Sequence, residues 1–218
     1  GWTVAQALEA VARDRRLKTV LKDASPESLM VELGHEDLEP EGRFLPDTYH
    51  FAKGASDLDI LRRAFETMEQ VLADEWKERA EGLPLETPYE ALILASIIEK
   101  ETGQASERPA IAGVFVRRLI KGMKLQTDPT VIYGMGDAFD GNLRRADLRR
   151  DTPYNTYVRH GLPPTPIALP GRAAIHAALN PQDGDSLFFV AKGDGSHQFS
   201  ATLEEHNQAV RRYQLGKP

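Results

Sequence analysis

The chain has 218 residues, of which 41% are hydrophobic and 28% charged, so it can form a substantial core and is too apolar for a largely disordered protein. Its 27 basic and 33 acidic residues give a net charge of −6, which argues against general binding to the phosphate backbone of nucleic acids. The absence of cysteine excludes disulfides, thiolate metal ligands and cysteine nucleophiles. The longest apolar run, residues 91–98, is too short for a membrane span, and the first residues lack the pattern of a signal peptide.

Capping signals predict four helices in the first 122 residues, which makes this part of the chain mainly helical. The clearest begins at Thr87, where Pro88 takes the first helical position and Glu90 completes a capping box. The predicted helices are a weak one after Thr3, a long amphipathic one from Ser56 to near Gly82, one from about Pro88 to Thr102 that stops at Gly103, and one between Ser106 and Gly122.

Closely spaced prolines and glycines predict a loop-rich second part from Leu125 onward. The apolar residues 187–191, a Gly193-Asp194-Gly195 turn and residues 197–200 predict a β-hairpin, and a capping box at Thr202 opens a last helix. No repeat or flexible linker separates the two parts. We therefore expect one region over residues 1–218, of α+β class, in which a helical part (about 1–122) packs against a loop-rich, β-containing part (about 123–218).

Glu101 stands at the end of the most apolar predicted helix. At about 100° per residue it lies within about 60° of Leu94, Ile97 and Ile98, which puts a carboxylate on the apolar stripe. Desolvation and the negative end of the helix dipole both disfavour the charged form, so we expect a pKa raised to about 6. A general acid that works near neutral pH needs such a pKa.

A second interpretation of this acidic segment remains open. Glu101 at a helix end can also point into solvent and pair with Lys100 or Arg108. Glu99 cannot join Glu101 in a glycosidase-type carboxylate pair, because residues two apart on a helix point about 160° away from each other. If the chemistry needs a second carboxylate, it must come from a distant segment.

Three polar clusters outside the periodic segments carry groups that either bind sugars or form turns. Residues 126–134 offer amide, hydroxyl, carboxylate and aromatic groups that suit sugar hydroxyls and ring faces, but an Asp-Pro turn has the same composition. Residues 154–157 with the proline-rich 161–167 fit either a groove wall or a stiff connector, and residues 41–49 are equally ambiguous. Zinc-binding histidine spacing, a phosphate loop and a dinucleotide fingerprint are absent from the sequence.

Taken together, these segments resemble the endolytic murein transglycosylases of the MltG/YceG type. The similar stretches follow the order of that family and span most of the chain. They are Glu41-Gly42 with residues 46–49, residues 95–102 with 106–108, residues 125–136, residues 154–157 with 161–167, and Phe189-Val190 with His197, Phe199, His206 and Asn207.

The resemblance implies cleavage of peptidoglycan glycan strands at internal bonds between N-acetylmuramic acid and N-acetylglucosamine, with 1,6-anhydro ends as the product. The family's catalytic glutamate falls on Glu101, and no metal or other cofactor is implied. The candidate substrate-binding residues are Gln126, Thr127, Asp128, Tyr133, Tyr154, Asn155, Thr156 and Glu41.

Members of this family also carry an N-terminal membrane helix and a LysM-like region. We therefore expect this chain to be a soluble fragment of a protein that crosses the bacterial inner membrane once, with its catalytic region in the periplasm. We expect peptidoglycan as the partner and do not expect nucleic acid. Whether cell-wall synthases also bind is left open by the sequence. The alternatives are a hydrolytic muramidase, with Asp128 as the second carboxylate, and a non-catalytic peptidoglycan-binding module.

Overall fold

The structure, a computed structural model, describes residues 1–23 and 25–216. Within these residues it contains eight α-helices and one two-stranded antiparallel sheet, so the predicted α+β class is confirmed. The elements are α1 (Val4–Ala12), α2 (Pro26–Leu33), α3 (Asp57–Lys77), α4 (Pro88–Glu101), α5 (Arg108–Ile120), α6 (Asp128–Met135), α7 (Arg172–Leu179), β1 (Phe188–Ala191), β2 (His197–Ser200) and α8 (Leu203–Tyr213).

Four predicted helix starts, after Thr3, Ser56, Thr87 and Thr202, are confirmed by complete capping boxes, whereas α5, predicted after Ser106, begins at Arg108 without a side-chain cap. In α4, for example, the Thr87 hydroxyl accepts a hydrogen bond from the Glu90 amide at 3.2 Å, which satisfies one of the free amides of the first turn. The predicted ends are less accurate. Helix α3 stops at Lys77, well before Gly82, and α4 stops at Glu101 because Thr102 takes an extended conformation, so Gly103 has no capping role.

Two short helices, α6 and α7, lie within the loop-rich part after Leu125, where the spacing of the prolines excludes only long elements. Pro129 lies in the first turn of α6, where a proline opens a helix because its missing amide is not needed there. Helix α7 fits in the eight residues between Gly171 and Asn180, inside the proline-rich region. Helix α2, which begins after the Ser25 cap, was missed.

Helix α4 is the centre of the main core. All residues from Ala91 to Ile98 are buried, as expected for a helix that is apolar on every side. It packs against α3, α5, α6 and α7, and each large side chain buried there contributes roughly 1.5–3 kcal/mol. A second core lies between α1, α2 and α3, around Met30, Phe44 and Phe65. Both cores contain residues from both sides of position 122.

The predicted hairpin is confirmed, with Phe188 paired to Ser200 and Ala191 to His197. Gly193 and Gly195 have φ angles of 89° and 86°, in the left-handed region that a tight turn requires. Helix α8 packs against both strands, and β1 also contacts α5. No helix among the described residues is long and apolar enough to cross a membrane.

A buried carboxylate joins α3 to α7. Glu75 Oε1 accepts a hydrogen bond from Arg172 Nε at 2.9 Å, and Oε2 lies 2.8 Å from His176 Nδ1. Burial alone would raise the pKa of Glu75, but the contacts with His176 and Arg172 outweigh it and lower the pKa below its usual value. The ionised form therefore stabilises the packing of α7.

We expect Glu75→Gln to lower the free energy of unfolding by about 1–2 kcal/mol at pH 7. Because the pKa of Glu75 is lower in the folded than in the unfolded state, its contribution is present above about pH 4.3 and is lost as the pH falls through the folded value. Urea unfolding at several pH values measures this difference. The exposed Glu69, paired with Arg43 at 3.1 Å, supplies the control Glu69→Gln, which should change stability by no more than about 0.5 kcal/mol. A difference that does not shrink in acid would contradict this account.

Candidate active site

A cleft lies between the end of α4, the residues that lead into α6, and the wall formed by α5, the hairpin and α8. Its volume of about 430 Å³ is within the range of small-molecule sites. The lining residues that bear on its chemistry are Glu101, Arg118, Gln126, Asp128, Tyr157, Phe188, His197 and His206. A larger, mostly apolar hollow lies near α1 and residues 44–51, but Glu101 does not line it, so the cleft is the better candidate site.

Glu101 is the last residue of α4, and its partly buried side chain faces this cleft. Burial raises its pKa to about 7; the nearby Asp128 also raises it, whereas a hydrogen bond from the Thr127 hydroxyl and the nearby His197 and Arg118 lower it. The direction agrees with the expectation from the apolar stripe. Among the described residues Glu101 makes no ion pair, and Lys100 instead donates to the Gly1 carbonyl oxygen.

The segment before α6 is held in a strained conformation beside Glu101. Gln126 has a φ of +52°, the single positive value for a non-glycine residue in the described chain, and this costs about 1 kcal/mol or more. Two hydrogen bonds keep the backbone in this conformation. The backbone amide of Gln126 donates to the Thr156 carbonyl, and that of Thr127 donates to the Thr156 hydroxyl, both at 3.1 Å. The strained turn leaves the Gln126 side chain exposed in the cleft and sets the Thr127 hydroxyl on Glu101.

Asn155 and Thr156 lie behind the cleft and do not line it. Both are buried, and Asn155 Nδ2 donates to the carbonyls of Asp147 at 3.1 Å and Arg150 at 2.7 Å. The side-chain amide of Asn155 thereby fixes the loop that contains Thr156. These contacts give both residues a clear role in positioning Thr127.

Asp128 and Tyr157 form a second polar pair in the cleft. The Tyr157 hydroxyl donates to Asp128 Oδ1 at 2.6 Å. Burial, together with the hydrogen bond to Asp128 and the negative charges of Asp128 and Glu101, raises the pKa of Tyr157. Tyr157 therefore keeps its hydroxyl proton at neutral pH and stays a hydrogen-bond donor.

The structure does not bring Glu41, Tyr133 and Tyr154 to the cleft, although the sequence grouped them with the other candidates. Glu41 is buried, with Oε1 accepting from the Val4 amide at 3.0 Å and Oε2 from the Tyr133 hydroxyl at 3.3 Å. Burial raises the pKa of Glu41. The ring of Tyr154 meets that of Tyr133 edge-on at 5.0 Å, and its hydroxyl is 2.8 Å from that of Thr165. This cluster links the start of α1 to α6.

Arg118 is a cleft residue that the sequence analysis missed. It is buried, and its guanidinium donates to the carbonyls of Leu187 at 2.6 Å, Leu125 at 2.7 Å and Lys124 at 3.2 Å. It also lies 5.1 Å from the centroid of the Phe188 ring. The sequence did contain a signal, because Arg118 follows Ile111, Val114 and Phe115 on the apolar stripe of α5, as Glu101 does on α4.

Comparisons with known proteins agree on one family. Residues 1–212 match the profile of the YceG-like family. An endolytic murein transglycosylase of Bacillus subtilis is 36% identical over 195 residues, which cover 88% of this chain and 54% of the relative. A protein of the same name from Streptococcus pneumoniae is 30% identical over 194 residues, 86% of this chain and 34% of that protein. The chain thus spans about half or less of the length of these relatives.

A solved structure is similar as well. The crystal structure of a YceG-like protein from Listeria monocytogenes superimposes with a TM-score of 0.74 at 33% sequence identity. The match covers 95% of this chain and 73% of the Listeria chain. The fold described above is therefore shared with that protein over nearly all of the chain.

The raised pKa of Glu101 predicts that this residue destabilises the fold at high pH. Its pKa is about 7 in the folded state and about 4.3 in the unfolded state, so the folded protein binds the proton more tightly and loses stability as the pH rises from about 4.3 to about 7. We expect Glu101→Gln to increase the free energy of unfolding by about 2 kcal/mol at pH 8 and to have little effect at pH 4. Urea unfolding at both pH values measures the difference. Glu99→Gln, on the opposite side of the helix, should give no such gain, and destabilisation by Glu101→Gln at pH 8 would refute the argument.

Proposed function

Because this chain belongs to the YceG-like family, we propose that it is a peptidoglycan lytic transglycosylase that cuts glycan strands at internal bonds between N-acetylmuramic acid and N-acetylglucosamine. The names of the relatives from Bacillus and Streptococcus support the general activity. The observation that carries the chemistry is the carboxyl group of Glu101, which faces the cleft and whose pKa of about 7 leaves about half of it protonated at pH 7.

In the first step, protonated Glu101 donates its proton to the glycosidic oxygen. The bond between this oxygen and C1 of the muramic acid breaks, the N-acetylglucosamine leaves with a hydroxyl group, and C1 acquires oxocarbenium character. Glu101 becomes a carboxylate. The hydrogen bond from the Thr127 hydroxyl stabilises that charge, since it favours the ionised form.

In the second step, the Glu101 carboxylate accepts the proton of the C6 hydroxyl while O6 bonds to C1. The product is a 1,6-anhydro ring, Glu101 is protonated again, and no water is consumed. One residue thus acts as acid and then as base, so the reaction needs no second catalytic carboxylate.

The other candidate residues divide by where they lie. We propose that Gln126 and Asp128, both exposed in the cleft, bind hydroxyl and amide groups of the sugars. Thr127 acts on Glu101, and Asn155 and Thr156 hold the strained turn. For Glu41, Tyr133 and Tyr154 we propose support of the helix α6 that begins at Asp128, because their hydrogen bonds and ring contacts are made away from the cleft.

The substrate also determines where we propose that the protein works. Peptidoglycan lies outside the cytoplasmic membrane, so the catalytic region must face that side. This is consistent with the expected anchoring in the inner membrane with the catalytic region in the periplasm.

A hydrolytic muramidase is the second candidate, because Asp128 lines the same cleft as Glu101. In that reaction Asp128 would activate a water or attack C1, and the product would be a reducing end. Asp128 already accepts a hydrogen bond from Tyr157 at 2.6 Å, which favours a binding role over that of a base.

Digestion of purified peptidoglycan, with mass spectrometry of the soluble products, tests the proposal. The wild-type chain should release muropeptides with 1,6-anhydro ends, and Glu101→Gln should lower the rate by at least about 1,000-fold while remaining folded. Asp128→Asn should retain the anhydro product with a weaker affinity for the strand.

Three other results would decide against the proposal. Reducing-end products that disappear in Asp128→Asn would identify a muramidase. Binding of glycan without any cleavage, unchanged in Glu101→Gln, would identify a binding module. Cleavage from strand ends only, seen as release of disaccharides without a decrease in strand length, would contradict the internal mode of action.

A further inference from the structure

His197, which lines the same cleft as Glu101, forms a partly buried pair with Glu107. Glu107 ends a short 3₁₀ turn after α4, and His197 begins strand β2. Glu107 Oε1 accepts from the His197 amide at 3.0 Å, and Oε2 lies 2.7 Å from His197 Nδ1. Only 15% of the Glu107 side chain and 11% of the His197 side chain are exposed. Because a carboxylate accepts, Nδ1 carries the proton, and Nε2 is the nitrogen left for another partner.

The imidazole ring is also fixed by packing. Phe189 meets it edge-on, with ring centroids 5.4 Å apart and planes at 89°, and Phe199 lies at 6.5 Å. His197 lines the same cleft as Glu101, and the two are close enough for His197 to lower the pKa of Glu101. A ring that is hydrogen-bonded at one nitrogen and packed against two phenyl rings presents its other nitrogen in a defined place.

A purely structural role does not account for this arrangement. The link between the 3₁₀ turn and the hairpin consists of two contacts, made by the backbone amide and Nδ1 of His197. These contacts use both carboxylate oxygens of Glu107. Neither contact requires that the imidazole ring also line the cleft. Helix α7 offers a comparison: His176 makes the same kind of Nδ1 contact, with Glu75 at 2.8 Å, yet its side chain is 59% exposed and lies outside the cleft.

We propose that His197 contacts the substrate, with Nε2 hydrogen-bonded to the sugar that is held against Glu101, and that Glu107 is a positioning residue that fixes the tautomer and orientation of the ring. The proposal rests on the proposed function, since it needs a glycan in the cleft. It goes beyond a single acid, because the second wall of the cleft then takes part in holding the reacting sugar. Preorganisation of this kind limits the loss of freedom on binding.

Asparagine and glutamine separate the two nitrogens of His197. The side-chain nitrogen of asparagine can replace Nδ1 and keep the contact with Glu107, while that of glutamine reaches the position of Nε2 and loses the contact. We expect His197→Asn to remain folded in urea unfolding, with only the loss of the ring packing, and to lower kcat/KM on soluble glycan strands by about 10- to 100-fold. His197→Gln should be less stable but should recover part of the activity. His176→Asn is the matched control and should leave kcat/KM unchanged.

Affinity for the same strands in the Glu101→Gln background provides a readout that does not depend on turnover. His197→Asn should weaken this binding by about tenfold. If the wild type forms anhydro products and His197→Asn matches it in both kcat/KM and affinity, the role of His197 is wrong and the proposed function stands. If the wild type binds strands but does not cleave them, a loss of affinity in His197→Asn still supports the contact. A wild-type chain that neither binds nor cleaves overturns both.

Discussion

The geometry of the cleft depends on one constraint: the carboxylate of Glu101 lies at the end of helix α4, which is buried on all sides from Ala91 to Ile98. Helix α4 can neither rotate nor shift without exposing residues such as Leu94 and Ile97, so the position of Glu101 is fixed by the main core of the protein. Burial raises the pKa of Glu101, and this energetic cost is met by the packing of four neighbouring helices. Glu101 is thus placed by a helix that the main core surrounds.

The surroundings of Glu101 follow from that placement. Its charged form needs a donor, and the Thr127 hydroxyl is brought to it by a turn in which Gln126 has a left-handed backbone. The strain is offset by hydrogen bonds to Thr156, which is itself fixed through Asn155. On the other side of the cleft, α5 and the hairpin present positive or neutral groups. The cleft therefore combines an acid, a donor for its conjugate base, and a wall with polar groups that can hydrogen-bond hydroxyl groups.

Much of the fold and of the cleft could be predicted from the sequence, and there are physical reasons why the rest could not. Capping boxes define helix starts because they are local, and Glu101 was identifiable because helical periodicity placed it on an apolar stripe. Arg118 carried the same signal. By contrast, composition cannot tell a cluster that supports a helix, such as Glu41 with Tyr133, from one that lines a cleft. The contact between Glu107 and His197 joins residues 90 positions apart, and only the tertiary fold reveals it.

The central claim is that folding raises the pKa of Glu101 to about 7, so that about half of it is protonated at pH 7, and a carbon-13 NMR titration of the glutamate carboxyl groups measures this directly. The Glu101 signal, assigned by its absence in Glu101→Gln, should titrate with an apparent pKa near 7 in the folded protein. It should move higher still in Thr127→Val, which lacks the hydroxyl that stabilises the carboxylate. An apparent pKa near 4.3, the value of an unperturbed glutamate, would contradict the account.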